Sequence, residues 1–547
     1  MQSKFRSHCP FCHQAINIGD EIDKRNGKWG HSSCPSPTMN IPSGASHGDI
    51  PEDDTEPIQS KPFTPSHYQE AVFEHVKHST EHAVVEAVAG SGKTTTVVQA
   101  LQFTKPSDDV AFIAVNKHIA DELKKRAPSH VHTSTLHSLG YSNMRQAFGK
   151  VRVDDRKVDN ILDDFLPYDP NDPQESLNKR SAMKRLVSLG KAVLIDENDP
   201  IAVQAMADRY GLELNGETDS VIDLLPKVMR RSREQTNVVD FDDMIYLPIA
   251  LNLSLKKFDR LFVDETQDLN KSQLEFVLGS IREKGQIVAV GDRNQSIYSF
   301  RGADSEAIPN IISALNAKTL PLSITYRCPV SHVRLAQQLV SHLEARDNAP
   351  EGIVGEVKES QLAEARDGDM ILCRVNAPLV PIAFSLIRQG VKATVRGRDI
   401  GSNLASLARK LAKDTTLMSQ FYSNLSDYES RELGRLEGRK ASEMQVQSVL
   451  DKCETLSYVA SECVLPDEIA RRVESIFSDD VAGVVLSSVH RAKGLESDRV
   501  YILRPELMPH PLAKSAWERE QELNCQYVSW TRSRSELYFV ATESKKR

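Results

Sequence analysis

The chain has 547 residues, of which 40% are apolar and 26% are charged, a balance typical of globular protein built from three or more compact units. No apolar run is long enough to span a bilayer, and the first residues lack the apolar core of a signal peptide, so we expect a protein that is neither membrane-bound nor secreted. The formal net charge of −8 gives no overall attraction to nucleic acid, so such binding would need a local groove.

Near the N-terminus the chain carries four candidate metal ligands: Cys9, Cys12, His31 and Cys34. They form two pairs with two-residue gaps, and three thiolates with one imidazole suit tetrahedral Zn2+. We therefore predict a zinc-binding module over residues 1–34 whose folding depends on the metal. His8 and His13 are rival ligands, and a redox pair at Cys9 and Cys12 is the alternative to zinc.

Residues 35–60 are rich in Pro, Ser, Gly, Asp and Glu and are predicted to form a flexible linker. In the module before them, basic residues outnumber acidic ones, so its surface could contact DNA phosphates. Docking of a protein partner is the alternative role. A flexible tether would serve either role by keeping the module at a raised effective concentration near the rest of the chain.

A glycine-rich run predicts a phosphate-binding loop. Residues 87–94 read Ala-Val-Ala-Gly-Ser-Gly-Lys-Thr, between an apolar, β-branched stretch and a helical one. Backbone amides and the positive end of the helix would bind phosphates, Lys93 would reach the β- and γ-phosphates, and Thr94 would hold Mg2+. Ala87 departs from the strict pattern, which has glycine there. The predicted nucleotide contacts in the loop are Ala89, Gly90, Ser91, Gly92, Lys93, Thr94 and Thr95.

An acidic run, Val-Asp-Glu-Thr-Gln-Asp at 263–268, follows the apolar stretch 261–263. Nucleotide sites in open α/β sheets lie at the carboxyl ends of buried strands, where this run is expected. Asp264 would be the second protein ligand of Mg2+, and Glu265 would be the base that orients the attacking water. An acidic pair alone is more often a helix cap, but together with the glycine-rich loop it predicts hydrolysis of a nucleoside triphosphate.

Beyond the linker, short apolar strands alternate with amphipathic helices, which predicts α/β layers. Two charged, helix-like stretches, 143–235 and 400–481, interrupt the alternation and are predicted to be helical insertions. Strands are predicted at 110–115, 261–263, 287–290, 320–324, 370–373, 484–489, 500–503 and 537–541.

Further runs occur in a fixed order at 63–69, 116–120, 133–138, 290–302, 325–327, 488–496 and 527–532. From Gln69 to Arg532 the chain thereby resembles the UvrD-like helicases of superfamily 1A. Its motif sequences are most similar to those of the F-box DNA helicases and of short viral or bacterial enzymes. The resemblance implies two RecA-like P-loop NTPase core domains, the first formed by 61–142 with 236–322 and the second by 323–399 with 482–547. It makes 143–235 the 1B insertion and 400–481 a reduced 2B-like accessory insertion.

The resemblance also implies roles at the nucleotide. Gln69 would read adenine, which an amide can do because it both donates and accepts hydrogen bonds. Tyr326 would stack on the adenine and Glu496 would contact the ribose. Gln295 would sense the γ-phosphate, and Arg327 and Arg532 would be arginine fingers, a kind of contact worth about 10^3–10^5 in rate. A single arginine near a helix usually forms a surface salt bridge instead.

Seven residues are implied as contacts of single-stranded DNA: Asn116, Lys117, Thr135, His137, Tyr298, Phe300 and His490. Stacking of bases on Tyr298 and Phe300 would contribute about 1–3 kcal/mol per base without reading sequence. The family commonly has tryptophan where Phe300 stands. Taken alone, Thr135 and His137 would be a satisfied turn, and the two aromatics would fill a core.

The sequence therefore predicts an ATP-dependent, Mg2+-requiring translocase and helicase that moves on single-stranded DNA and acts on tailed or forked duplexes, located in the cytoplasm or wherever DNA resides. The resemblance implies that it moves 3′ to 5′. A DNA-activated ATPase that works with a partner and unwinds nothing is the first alternative. A binding protein with a vestigial ATPase is the second, and an RNA substrate remains open because stacking aromatics do not distinguish the sugars.

Overall fold

The computed structural model describes residues 63–114, 117–210, 212, 219–297, 306–438, 443–479, 483–513 and 516–541, together with four short strands nearer the N-terminus. Those strands are β1 (Ser7–His8), β2 (Ala15–Ile16), β3 (Ile22–Arg25) and β4 (Lys28–His31), and they pair antiparallel as β1 with β2 and β3 with β4. Residues 1–64 form one compact unit and residues 65–547 another. The predicted linker and the side chains of the four predicted zinc ligands lie outside what is described.

The strands of the larger unit are β5 (Ala83–Ala87), β6 (Val110–Ala114), β7 (Val131–Thr135), β8 (Arg152–Val153), β9 (Val238–Val239), β10 (Phe258–Val263), β11 (Ile281–Gly291), β12 (Lys318–Leu322), β13 (Ile324–Thr325), β14 (Glu344–Ala345), β15 (Ile353–Lys358), β16 (Met370–Cys373), β17 (Ala393–Arg396), β18 (Phe477–Ser478), β19 (Val484–Ser488), β20 (Ser497–Leu503) and β21 (Ser533–Ala541).

Its helices are α1 (His67–His78), α2 (Lys93–Leu101), α3 (Lys117–Arg126), α4 (Leu136–Phe148), α5 (Lys157–Phe165), α6 (Pro173–Val193), α7 (Pro200–Arg209), α8 (Asp219–Glu234), α9 (Phe241–Ala250), α10 (Lys271–Gly279), α11 (Ala307–Leu315), α12 (Val330–Ala336), α13 (Leu379–Arg388), α14 (Arg398–Leu411), α15 (Met418–Gly438), α16 (Glu443–Ser461), α17 (Pro466–Ile476), α18 (Val489–Ala492) and α19 (Ala516–Trp530). Among the described residues, no helix is both long and apolar enough to cross a membrane.

The first sheet has six parallel strands in the order β12-β5-β11-β10-β6-β7. Alternate residues of one strand face opposite layers, as the two-residue period of a strand requires. Phe112 packs in the cluster formed with α1 and α2, whereas its neighbour Ile113 packs in the cluster formed with α10 and α11. Helices therefore cover both faces, which is the usual setting of an all-parallel sheet.

The second sheet has seven parallel strands in the order β15-β21-β20-β16-β19-β17-β18. The predicted α/β class with two parallel sheets is thus confirmed. Each of the eight predicted strands overlaps an observed one, but the strand predicted at 320–324 is split. β12 ends at Leu322 in the first sheet, and β13 pairs with β14 instead.

The helices of 143–235 surround a hydrophobic cluster distinct from those of the first sheet, to which Leu162, Leu186 and Val228 contribute. Helix α9 follows this stretch and packs against both the insertion and the first sheet. Its Leu247 packs in the insertion cluster and its Ile245 packs under the first sheet. The insertion is therefore joined to the sheet through α9.

The second insertion is less separate than the range 400–481 predicts. Helices α14 to α17 share one hydrophobic cluster with the second sheet, so that Leu404 packs together with Leu486. Strand β18 lies inside the predicted range but pairs with β17 and extends the sheet. Phe477 is buried there against α14, where a Cβ on Gly401 would stand 2.5 Å from the Cβ of Phe477. This close packing ties β18, which lies before the predicted boundary at 481, to the sheet.

A buried ion network fixes α9 to the first insertion. Asp243 lies 2.6 Å from Lys157 Nζ and 2.8 Å from Lys191 Nζ, and all three side chains are at most 1% exposed. Lys191 also pairs with Asp240, the residue that caps α9. Burial would lower the pKa of Lys191, but Asp243 and Asp240 outweigh it and raise that pKa. The charged form of this buried lysine therefore depends on these carboxylates.

We expect Asp243→Ala to lower the free energy of unfolding by about 3–5 kcal/mol, because it leaves buried ammonium groups without their shared partner. Urea unfolding followed by tryptophan fluorescence measures the change. The control is Glu351→Ala, which removes a carboxylate from an ion pair with Arg334 of the same 2.6 Å length but more than 60% exposed. Its effect should stay within about 0.5 kcal/mol, and equal losses in the two variants would contradict the assignment.

Candidate nucleotide site between the two sheets

The phosphate loop connects β5 to α2 and approaches the second half of the chain. Here the first half means residues 63–322, which include the first sheet, and the second half means residues 323–541, which include the second sheet. Gly90 and Gly92 have φ of 73° and 74°, in the left-handed region that favours glycine. A Cβ on Gly90 would stand 2.6 Å from Thr325 Oγ1 and from Arg327 Cβ, so only glycine fits. Ala87 is the last residue of β5, in extended backbone, and the departure from the strict motif therefore requires no left-handed conformation.

The acidic run lies beside this loop and follows the carboxyl end of β10, the kind of position in which the sequence analysis expects it. Thr94 Oγ1 donates to Asp264 Oδ2 at 3.3 Å, and Lys93 Nζ donates to Glu265 Oε2 at 3.1 Å. A hydroxyl and a carboxylate oxygen placed together are hard ligands of the kind Mg2+ prefers, with phosphate oxygens and water to complete the set. Thr94 and Asp264 therefore fit the predicted metal.

The two carboxylates differ in pKa because their surroundings differ. Burial and the neighbouring charge of Glu265 raise the pKa of Asp264 to about 6. Burial would also raise the pKa of Glu265, but Lys93 and Lys493 outweigh it and lower that pKa to about 2. A carboxylate held in its charged form accepts hydrogen bonds, so Glu265 can orient a water molecule.

A chain of hydrogen bonds joins Glu265 to Gln295. Gln267 donates through Nε2 to Glu265 and accepts at Oε1 from the backbone N–H of Asp292 at 2.9 Å. Gln295 Nε2 donates to Asp292 Oδ2 at 2.7 Å. The sequence prediction gave Gln267 and Asp292 no role, although both stand inside the quoted runs.

Lys493 links the two halves of the site, although the sequence analysis gave it no role. It follows α18 in the second half, yet its Nζ donates to Asp268 Oδ2 at 2.6 Å and to the Gln295 carbonyl at 2.8 Å, both in the first half. Its position within the predicted run 488–496 was the available signal.

The two predicted arginine fingers have different electrostatic surroundings. Arg327 pairs with Glu496 at 2.6 Å and donates to the Thr531 carbonyl at 3.2 Å. Arg532 is 1% exposed and donates to the carbonyls of Val528 and Leu495 and to the Thr531 hydroxyl. Among the described residues, no carboxylate lies within ion-pair distance of Arg532. Burial and the nearby Arg327 lower its pKa to about 10, and an anion in the cavity would offer the guanidinium a direct ion-pair partner.

The two residues predicted at the base adjoin each other beside α2. Gln69 Nε2 donates to Thr96 Oγ1 at 2.9 Å, and the Tyr326 hydroxyl donates to Gln69 Oε1 at 3.1 Å. Tyr326 is 40% exposed, which leaves a ring face for stacking, and its backbone N–H donates to the Gly90 carbonyl at 2.8 Å. The residues predicted to bind the base are thereby held against the phosphate loop.

A cavity of about 390 Å³ collects most of the predicted nucleotide residues. Ala89, Asp264, Gln69, Tyr326 and Glu496 are predicted contacts that do not line it. Its lining consists of Gly90, Ser91, Gly92, Lys93, Thr94, Thr95, Ile119, Glu265, Asp268, Gln295, Arg327, Lys493, Gly494 and Arg532.

Of the residues predicted to contact DNA, Asn116, Tyr298 and Phe300 lie outside the described residues. Lys117 begins α3 after β6, and Thr135 ends β7; since these strands are parallel neighbours, both residues lie at the carboxyl edge of the first sheet.

Thr135 caps α4 by accepting from the Ser138 N–H at 3.2 Å. Its hydroxyl therefore stabilises a turn, which is the alternative role given to it in the sequence analysis. His137 is half-buried, with its ring edge-on to Phe241 at 6.2 Å between centroids. His490 stands on α18 in the second half, with Nε2 3.6 Å from Cys525 Sγ. The described residues that are predicted to contact DNA therefore lie in both halves of the chain.

The first parallel sheet carries a phosphate loop and a carboxylate pair, and arginines from the half that holds the second sheet face them. This arrangement defines a P-loop nucleoside triphosphatase with two core sheets. Residues 68–316 match the UvrD/REP helicase N-terminal domain, and residues 399–544 match the UvrD-like helicase C-terminal domain. The chain therefore belongs to the UvrD-like superfamily 1 DNA helicases.

Named relatives agree with this family. The chain is 28% identical to the ATP-dependent DNA helicase Rep of Buchnera aphidicola subsp. Schizaphis graminum, over 47% of this chain and 42% of the relative. It is 22% identical to the F-box DNA helicase protein 1 of Schizosaccharomyces pombe, over 84% of this chain and 56% of the relative. The chain spans about half the length of these relatives. A solved arterivirus nonstructural protein 10 (helicase) matches with a TM-score of 0.32 at 11% identity over 87% of this chain and 63% of that chain, which is too weak to support an argument.

We expect Arg532→Ala to lower the turnover number for ATP by about 10^3 or more, because it removes the buried guanidinium that has no carboxylate partner. Steady-state phosphate release measures the effect. The control is Arg334→Ala, which removes an arginine that is 67% exposed and paired with Glu351. Turnover of the control should match that of the unaltered protein. Near-normal turnover in Arg532→Ala would show that Arg532 does not act on the phosphate.

Proposed function

We propose that this chain is an ATP-dependent, Mg2+-requiring DNA translocase and helicase that moves 3′ to 5′ along a single strand. The observation that carries the proposal is the meeting, in one cavity, of the phosphate loop with Arg327 and Arg532 from the other half of the chain. Because the phosphate ligands and the arginines belong to different halves, ATP draws the halves together and hydrolysis releases them. The direction of movement rests on the family resemblance alone.

In the proposed cycle, the residues of the cavity have separate tasks. The loop amides and Lys93 bind the phosphates, and Glu265 orients the attacking water. Mg2+, when bound at Thr94 and Asp264, neutralises phosphate charge. Arg327 leaves Glu496 as it turns to the γ-phosphate, so that Glu496 becomes free to accept from the ribose.

Single-stranded DNA and tailed or forked duplexes are the proposed substrates. Lys117, Thr135 and His137 from the first half and His490 from the second are the described residues that would contact the strand. Contacts on both halves support stepping, because each closure changes the distance between the two grips. Predominance of RNA binding over DNA binding would instead favour the RNA alternative.

A DNA-activated ATPase that works beside a partner and does not unwind is the second candidate. The observation that favours it is the shared core of the second insertion. Helices α14 to α17 pack in one hydrophobic cluster with the second sheet, so they are not free to move as an independent lobe. Translocation needs only the two core halves, whereas unwinding that depends on a mobile accessory lobe would be restricted here.

For the N-terminal unit we propose a zinc module that contacts DNA or a protein partner. Its support is the ligand spacing together with the pairing of β1 and β2, which flank Cys9 and Cys12 in the sequence. Strand β4 ends at His31, the third predicted ligand.

We expect ATP hydrolysis to rise on addition of a single-stranded oligonucleotide and to fall to background in Lys93→Ala, while DNA affinity persists. Lys93 supplies the charge that meets the phosphates and takes no part in the predicted strand contacts. Phosphate release and fluorescence anisotropy measure the two properties. The control is Lys271→Ala, at an exposed position that begins α10. Normal turnover in Lys93→Ala would overturn the assignment.

Displacement from 3′-tailed but not 5′-tailed duplexes would identify a 3′ to 5′ helicase. DNA-stimulated turnover without displacement from either duplex would select the second candidate.

Zinc content should be about one equivalent per chain and should be lost in Cys12→Ser, because a tetrahedral site does not tolerate the loss of a thiolate. Atomic emission measures the metal after dialysis. Cys463→Ser, at a half-exposed thiol far along the chain, is the control. A metal-free protein with a reducible disulfide would instead favour the redox pair at Cys9 and Cys12.

A further inference from the structure

The last helix, α19, carries two buried polar side chains that reach the first half of the chain. Asn524 Nδ2 donates to the Ser296 carbonyl at 3.0 Å and to the Arg293 carbonyl at 3.4 Å. The Tyr527 hydroxyl accepts from the backbone N–H of Ala89 at 2.9 Å. One helix of the second half is thus bonded to two separate loops of the first.

Both loops belong to the proposed machinery. Arg293 begins the short helical turn that carries Gln295, and Ser296 follows it, two residues before the predicted stacking aromatic Tyr298. Ala89 lies in the phosphate loop, one residue before Gly90. Asn524 therefore holds the segment that leads to the strand contacts, and Tyr527 holds the segment that binds phosphate.

Burial makes these bonds hard to replace. Asn524 is 9% exposed and Tyr527 is 1% exposed, and Tyr527 packs with Val88, Ala89 and Cys328 in one hydrophobic cluster. A backbone group that loses its partner in such a place stays unsatisfied, because water does not take over the bond. The three amide and hydroxyl contacts are thus specific constraints on the loops.

The spacing of the two side chains makes them act together. Residues three apart lie on the same face of a helix, and an α-helix moves as a rigid body over one turn. The same helix ends two residues before Arg532, whose Nε donates to the Val528 carbonyl within it. A displacement of this helix would therefore act on both loops together.

We propose that Asn524 and Tyr527 are positioning residues that couple the nucleotide cavity to the strand-contacting segment of the first half. The inference rests on the proposed function, since it presumes that the chain binds both ATP and single-stranded DNA. Coupling of two ligands is reciprocal, so the factor by which a nucleotide changes DNA affinity equals the factor by which DNA changes nucleotide affinity. That factor is the quantity to measure.

The experiment uses the full chain, a fluorescent single-stranded oligothymidine, and a non-hydrolysable ATP analogue with Mg2+. The dissociation constant of the oligonucleotide is measured with and without the analogue, and their ratio is the coupling factor. We expect the unaltered protein to give a ratio of about fivefold or more in one direction, and Asn524→Ala and Tyr527→Phe to bring it to within about twofold of unity.

Tyr527→Phe removes one hydroxyl oxygen and keeps the ring in its cluster, so misfolding is not expected. Asn524→Asp should fail like Asn524→Ala, because a carboxylate offers no donor to the two carbonyls. The control is Gln526→Ala, an amide on the same helix that is half-exposed and should keep the full ratio. Thermal unfolding of every variant checks that the fold persists.

A full coupling factor in Asn524→Ala and Tyr527→Phe would overturn the inference. Equal weakening of DNA affinity with and without the analogue, which leaves the ratio unchanged, would also overturn it, because that result indicates a merely structural role. Failure of the proposed function is distinguishable, because the unaltered protein would then show no DNA-stimulated hydrolysis and no coupling.

Discussion

The parallel register of the first sheet is the constraint on which the site depends. Parallel strands present their carboxyl ends at one edge, so the loops that follow them meet there. β5 lies beside β11, and β11 lies beside β10. The phosphate loop, the turn with Gln295 and the acidic run are therefore neighbours, although about 200 residues of chain separate the phosphate loop from Gln295. Without this order, Thr94 and Asp264 would not stand together.

Charge at the cavity is unequal in a way that suits a polyanion. The first half contributes Lys93, already balanced by Glu265, whereas the second contributes Arg532, whose neighbours are carbonyls and a hydroxyl. A buried guanidinium without a carboxylate is costly to keep, and a phosphate group offsets that cost. In the proposed cycle a bound nucleotide would therefore favour closure of the two halves electrostatically, and Arg327 would exchange the carboxylate of Glu496 for phosphate.

The sequence predicted the α/β class, the phosphate loop and the acidic run because these depend on local order: an apolar strand followed by a particular turn. It did not predict that Tyr527 bonds to Ala89, because the two are 438 positions apart and the bond uses a backbone N–H, which any residue there would provide. The packing of β18 into the second sheet was not predicted for a related reason. Charge and helical pattern distinguish α14 to α17 from strands, but no local pattern shows that Phe477 packs against Gly401.

The shared core of the second insertion limits how the chain can be divided. Leu404, Leu456 and Ile469 cover the same face of the second sheet that Ile371 and Leu486 present to them. Excision of these helices would not yield a smaller motor, since it would expose a continuous apolar surface on a sheet that bears half of the nucleotide cavity. The second sheet and helices α14 to α17 should accordingly unfold in one cooperative transition. Evolutionary shortening could remove residues from the solvent-facing loops of this region but not from its packed helices.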